Sequence, residues 1–130
     1  MKMGPYAYFA IIPVLDKDKN YNVWNSNEIT YKQLLSQYQA ISISDDIIND
    51  WWYHLLQMNS YCGSYSKPDK ALDRWGNTLI PPESLDLFIN VIETYTSKEN
   101  WKVYRSDLEE LVKLLKEAKT KNNFVIHFGV

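Results

Sequence analysis

His54, His127 and Cys62 are the residues of this 130-residue chain whose types could carry nucleophilic or metal chemistry. A thiol beside an imidazole makes a nucleophile and its base, and three or four convergent His, Cys or carboxylate ligands make a zinc site. Neither a CxxC nor an HExxH spacing occurs, so no metal site is expected. His54 and Cys62 fall on one predicted helix, where a rise of about 1.5 Å per residue separates their Cα atoms by roughly 12 Å and prevents direct pairing. Cys62 and His127 can meet only through tertiary folding. The plainer reading is a small buried thiol closing an apolar stripe and a satisfied, partly buried histidine in the last strand, with a pH-sensitive or catalytic His127 as the alternative. Gly4, Gly63, Gly76 and Gly129 are scattered, unlike the clustered glycines of a phosphate cradle. Nothing in the spacing of the sixteen carboxylates selects an acid/base pair. A non-catalytic protein without a cofactor is expected.

The stronger signal is a surface. In "ISDDIINDWWYHLLQMNSYC" (43–62), three aromatic residues follow one another, and one helix cannot bury all three, because successive side chains are rotated by about 100°. With Trp51 facing inward, Ile47, Ile48, Leu55, Met58 and Cys62 share its side. Trp52 lies on a flank with Leu56. Tyr53 points nearly opposite, among Asn49, Gln57 and Ser60. Rigid aromatic groups beside negative charge suit a protein interface with a cationic partner. The partner-binding set is therefore Asp45, Asp46, Asp50, Trp52, Tyr53 and Gln57. Asp45 and Asp46 also have a plainer role as favourable carboxylates at a helix start, and Trp52 could be covered by another helix.

The elements that must position these residues form an α+β domain: about four helices against a small sheet containing the N-terminal and C-terminal strands. "PYAYFAIIPVL" is apolar on both alternating sets, which predicts a strand covered on both faces. "YNVW" (21–24) suits the return arm of a hairpin. Thr30 and Gln33 have capping-box spacing before a helix through Tyr38, and Ser44 or Asp45 caps the next. "GSYSKPDKALDRWGN" reads as a long irregular connection. Pro82 opens a third helix with Leu85, Phe88, Ile89 and Ile92 buried. Ser106 and Glu109 open a fourth, ending near Asn122. The stretch 98–105 fits either a strand or a backward extension of that helix, and a break near Arg105 is preferred. A strand from Phe124 to Val130 closes the chain and suits the middle of the sheet.

A length of 130 residues suits a single domain over 1–130. Net charge of −2 and a pI near 5.6 disfavour a nucleic-acid binder, which needs a basic face. From Asn20 to Ser66 the only cation is Lys32, against Glu28, Asp45, Asp46 and Asp50. That half attracts basic partners. A single cysteine excludes an internal disulfide and fits a reducing compartment. The apolar run after Lys2 lacks a cleavage pattern and is too short to span a bilayer, so a cytoplasmic protein without membrane attachment is expected.

Two stretches go further. "WGNTLIPPESLDLFINVI" (75–92) and "LVKLLKEAKTKNNFVIHFGV" (111–130) carry a glycine turn, "LIPPES" leading into a helix, and a helix closing on a "VIHFG" strand. This C-terminal pattern resembles the immunity proteins of polymorphic and contact-dependent bacterial toxin systems. The resemblance implies a cytoplasmic, non-catalytic protein that binds a cognate toxin domain and blocks it. An acidic, aromatic face would suit a basic nuclease toxin, with carboxylates standing where phosphates would. A small-ligand or regulatory module, with Tyr and Trp lining a pocket, is the alternative of a different class.

Overall fold

The computed structural model describes residues 6–21, 38–73 and 76–129. Six antiparallel strands form one sheet: β1 (Tyr6–Ile12), β2 (Ile41–Ser44), β3 (Asn59–Cys62), β4 (Pro68–Lys70), β5 (Asn77–Ile80) and β6 (Phe124–Phe128), in the order β2-β1-β6-β5-β3-β4. The terminal strands pair with each other, Phe9 opposite His127 and Ile11 opposite Val125. The α+β class and the β1–β6 core of the sheet follow the sequence reading. Among the described residues there are three α-helices rather than four: α1 (Asp45–Trp51), α2 (Leu85–Tyr95) and α3 (Lys98–Thr120). The helix expected from Thr30 and the hairpin arm at 22–24 lie outside the described residues.

Both faces of β1 are buried, as its alternation requires. Ala7 and Phe9, with Ile11 at their edge, join Val125, Ile80 and the helices in the larger core. Ala10 and Ile12 join Leu79, Ile126, Phe128 and Tyr21 on the other side. Tyr21 anchors that second layer: its N–H donates to the Gly63 carbonyl at 2.7 Å, and its carbonyl accepts from Asn77 Nδ2 at 2.8 Å. All three helices contribute to the larger core, and α3 lies across β1, β2 and β6.

The expected helix through Cys62 is corrected. α1 stops at Trp51, a 3-10 turn runs over Trp52–Leu55, and the chain then extends into β3. Consecutive aromatic residues are poor helix formers because their χ1 freedom is lost against the preceding turn. Ser60 is buried, not on Tyr53's polar face; its hydroxyl donates to the Ala71 carbonyl at 2.7 Å. The predicted irregular connection contains the short edge strand β4. The 98–105 ambiguity resolves as helix: Ser97 caps α3, and only Tyr104, at φ −117° and ψ 24°, departs from helical geometry, close to the preferred break. α3 ends two residues before Asn122, whose φ of 57° is the left-handed conformation asparagine tolerates at a helix end.

Trp51 is fully buried. Its ring meets Phe88 edge-on at 5.6 Å, and its Nε1–H donates to Thr96 Oγ1 at 2.8 Å, which in turn donates to the Ile92 carbonyl at 2.6 Å. Trp51→Ala is expected to cost about 3–5 kcal/mol, with Tyr53→Ala below roughly 0.5 kcal/mol. Urea denaturation of both variants checks this, and similar losses at the two positions would contradict the assignment of inward and outward rings.

Candidate functional site

The run Trp51–Leu56 divides its side chains three ways. In a 3-10 turn residues three apart eclipse one another. Trp51 and His54 accordingly both reach α2, the first against Phe88 and Thr96 and the second against Tyr95. Trp52 and Leu55 both pack against the larger core, Trp52 remaining half-buried. Tyr53 and Leu56 both face solvent, at 75% and 46% exposure.

These positions create a surface aromatic group that joins two elements, with Tyr53 and Tyr95 exposed and His54 half-buried. The His54 imidazole lies flat on the Tyr95 ring, with centroids 3.4 Å apart and planes within 6°. Tyr53 stands perpendicular to His54 at 5.5 Å. Tyr95 is 43% exposed although it ends a helix whose inner stripe is buried. Sequence reasoning found Tyr53 but missed His54 and Tyr95, because their pairing spans 41 positions and no periodicity links them.

The expected acidic residues separate. Asp46 is exposed, and its backbone N–H donates to Ser44 Oγ at 3.3 Å, so Ser44 is the cap of α1. Asp45 is half-buried and has an interaction of its own within the protein. Asp50 joins two helices, because its Oδ2 accepts from the Ser97 N–H at 2.9 Å and from Asn100 Nδ2 at 2.8 Å, tying α1 to the start of α3. Gln57 is exposed. The aromatic surface is thus centred on Tyr53, His54 and Tyr95, with Asp50 held by the Ser97 N–H and Asn100 just after the end of α2.

The thiol and the second histidine do not pair. Cys62, Thr78, His127 and Phe9 lie opposite one another in successive strands, so Cys62 and His127 share a face two strand spacings apart, roughly 9–10 Å. Cys62 Sγ instead lies 3.7 Å from Asp73 Oδ2, and burial, reinforced by that carboxylate, pushes the thiol pKa up. This is the reverse of nucleophile activation. His127 is buried as expected, but not satisfied: its ring lies 5.0 Å from Phe9, and Nδ1 has no hydrogen-bond partner among the described residues. Burial pushes its pKa down to about 3.

Among the described residues, no group of three or more His, Cys, Asp or Glu could hold a metal, and no helix is long and apolar enough to cross a membrane. A separate groove of about 470 Å³ runs between α2 and α3, lined by Glu93 on one side and by Trp101, Arg105, Glu109, Val112 and Lys113 on the other. No family model, curated protein or solved structure matches the chain.

Asp50→Ala is expected to cost about 1–2 kcal/mol in chemical denaturation, since a carboxylate accepting two N–H groups is lost, whereas Asp46→Ala costs less than about 0.5 kcal/mol. The buried imidazole makes a pH prediction. Its folded pKa of about 3 lies below the 6.5 of an exposed histidine, so the unfolded chain binds the extra proton between those values. The contribution of His127 is complete above pH 6.5 and is lost as pH falls toward 3, at about 1.4 kcal/mol per pH unit. His127→Leu is expected to flatten that slope in urea titrations from pH 7 to 4; an unchanged slope would contradict it.

Proposed function

We propose that this chain is an immunity-type protein: cytoplasmic, non-catalytic, and neutralising a cognate bacterial toxin domain by direct contact. The observation that carries the reading is the surface group of exposed Tyr53 and Tyr95 with half-buried His54 in contact with both, rigid rings in a part of the chain poor in cations. Rings of this kind lose little conformational freedom on binding and are enriched at interface centres. The resemblance of the "LIPPES" and "VIHFG" stretches to immunity proteins supports the same class. A basic toxin, such as a nuclease with a cationic cleft, fits the sign of the charge.

A second reading has its own support. The groove between α2 and α3 has the volume of a small-molecule site and an indole wall at Trp101. A regulatory module binding a metabolite there is the alternative, and a thermal-shift screen that raises the melting temperature without any protein partner would favour it.

Co-expression with the product of the adjacent toxin gene is expected to restore growth, and the two proteins are expected to co-purify. A gene neighbourhood without a toxin, together with no rescue by this chain, would overturn the proposal.

A further inference from the structure

The immunity reading says that a partner binds; the aromatic group says which side chain it presents. We infer that Tyr53, His54 and Tyr95 form a seat for an arginine side chain of the partner. Identifying the toxin as the source of that arginine rests on the proposed function, while the chemistry of the seat rests on four observations.

The rings are assembled before any partner arrives. His54 is stacked on Tyr95 at 3.4 Å and Tyr53 stands perpendicular to it at 5.5 Å, so little ordering remains when a planar group docks. Tyr53 is 75% exposed, which leaves its ring open to contact.

The two segments that hold the rings contain no Lys or Arg of their own. Residues 38–66 and 76–97, which contribute every ring of the seat, carry Asp45, Asp46, Asp50, Glu83, Asp86 and Glu93; Lys67 and Lys98 follow directly, and Asp86, in the first turn of α2, pairs with Lys119 at 2.6 Å. Asp50 is held in place by Ser97 and Asn100, beside the end of α2 that carries Tyr95. α2 also directs its last carbonyls toward this end, with no basic residue in its last turn. Helix C-termini favour cations.

Elsewhere the protein supplies its own cations to its rings: Lys17 lies over Tyr65 at 5.0 Å, Lys19 over Tyr21 at 5.0 Å and Arg105 over Trp101 at 5.9 Å. Among the described residues none lies over Tyr53, His54 or Tyr95. The seat is therefore the open ring of Tyr53 beside the His54–Tyr95 stack, and no cation of the described residues lies over it. A guanidinium suits it better than an ammonium, because it is planar, stacks on aromatic faces and is less strongly hydrated.

The test is an NMR titration of the full chain with an acetylated hexa-arginine peptide at low salt, read on aromatic side-chain resonances, with hexa-lysine as the comparison. The rings of Tyr53, His54 and Tyr95 are expected to shift first, the arginine peptide binding at least threefold more tightly than the lysine one. Tyr53→Ala, an exposed position, is expected to weaken arginine binding at least fivefold, and Trp101→Ala, in the groove between α2 and α3, to leave it within twofold. No binding, equal affinity for both peptides, or shifts centred on Trp101 or spread over the carboxylates would overturn the seat. Growth rescue separates the two ideas. Rescue with the three rings unperturbed by either peptide overturns the arginine seat and spares the toxin reading. Ring shifts with no rescue support the seat and remove the toxin as its source.

Discussion

The orientation of the functional surface depends on the burial of one indole. Trp51 sits at the junction of α1 and the following 3-10 turn, packs against Phe88 and donates to Thr96 at the end of α2. A buried indole N–H without a partner would cost about 1–3 kcal/mol, so the ring can enter the core only where Thr96 receives it. That requirement brings the end of α2 alongside the aromatic run. Phe88 in turn contacts Phe9 of the sheet at 5.7 Å, which links the surface turn to the central strands through two aromatic contacts.

With Trp51 held, the 3-10 turn determines what the following residues do. At about 120° per residue, His54 returns to the side of Trp51 and meets α2 one turn further along, on Tyr95. At about 100° per residue the same side chain would be rotated away from that line by about 60°. The stacked pair is thus a consequence of the tighter turn, and the tighter turn arises where four consecutive bulky residues disfavour continued α-helix. The connection to β3 fixes the other limit: Met58 is still buried, and its carbonyl accepts from the Ala71 N–H at 2.8 Å, so the chain is extended within a few residues of Leu55.

Much of this fold was legible where pattern and environment agree. The double alternation of β1, the apolar β6 and the stripe Leu85, Phe88, Ile89 and Ile92 each report a face that is buried in the structure. Legibility failed where a short strand imitates something else. Met58 and Cys62 continue the helical spacing of Trp51 and Leu55, yet Cys62 belongs to β3. Asn77–Ile80 is buried at all four positions, including two polar residues, and stands directly before the prolines that open the next helix, so it reads as a preface to that helix. Of the expected contact residues, Tyr53 was identified by helical geometry alone. The role of Asp50 depends on Ser97 and Asn100, and the role of His54 on Tyr95, and such long-range partners leave no trace in local periodicity.

The net charge of −2 conceals an uneven distribution that bears on recognition. The stretch 98–121, essentially α3, holds Lys98, Lys102, Arg105, Lys113, Lys116, Lys119 and Lys121 against five carboxylates, while residues 38–66 and 76–97 hold carboxylates alone. A basic partner approaching this molecule therefore feels attraction toward the turn after α1 and repulsion along much of α3, which orients the encounter before any contact forms. Such steering sets the direction of approach but contributes modestly to the lifetime of a complex, because exposed charges are screened over about 8–10 Å at physiological salt. Persistence requires groups that exclude water at the centre of the contact. The surface that combines the two roles is the one where exposed, preassembled rings and the cation-free segments coincide, around Tyr53, His54 and Tyr95.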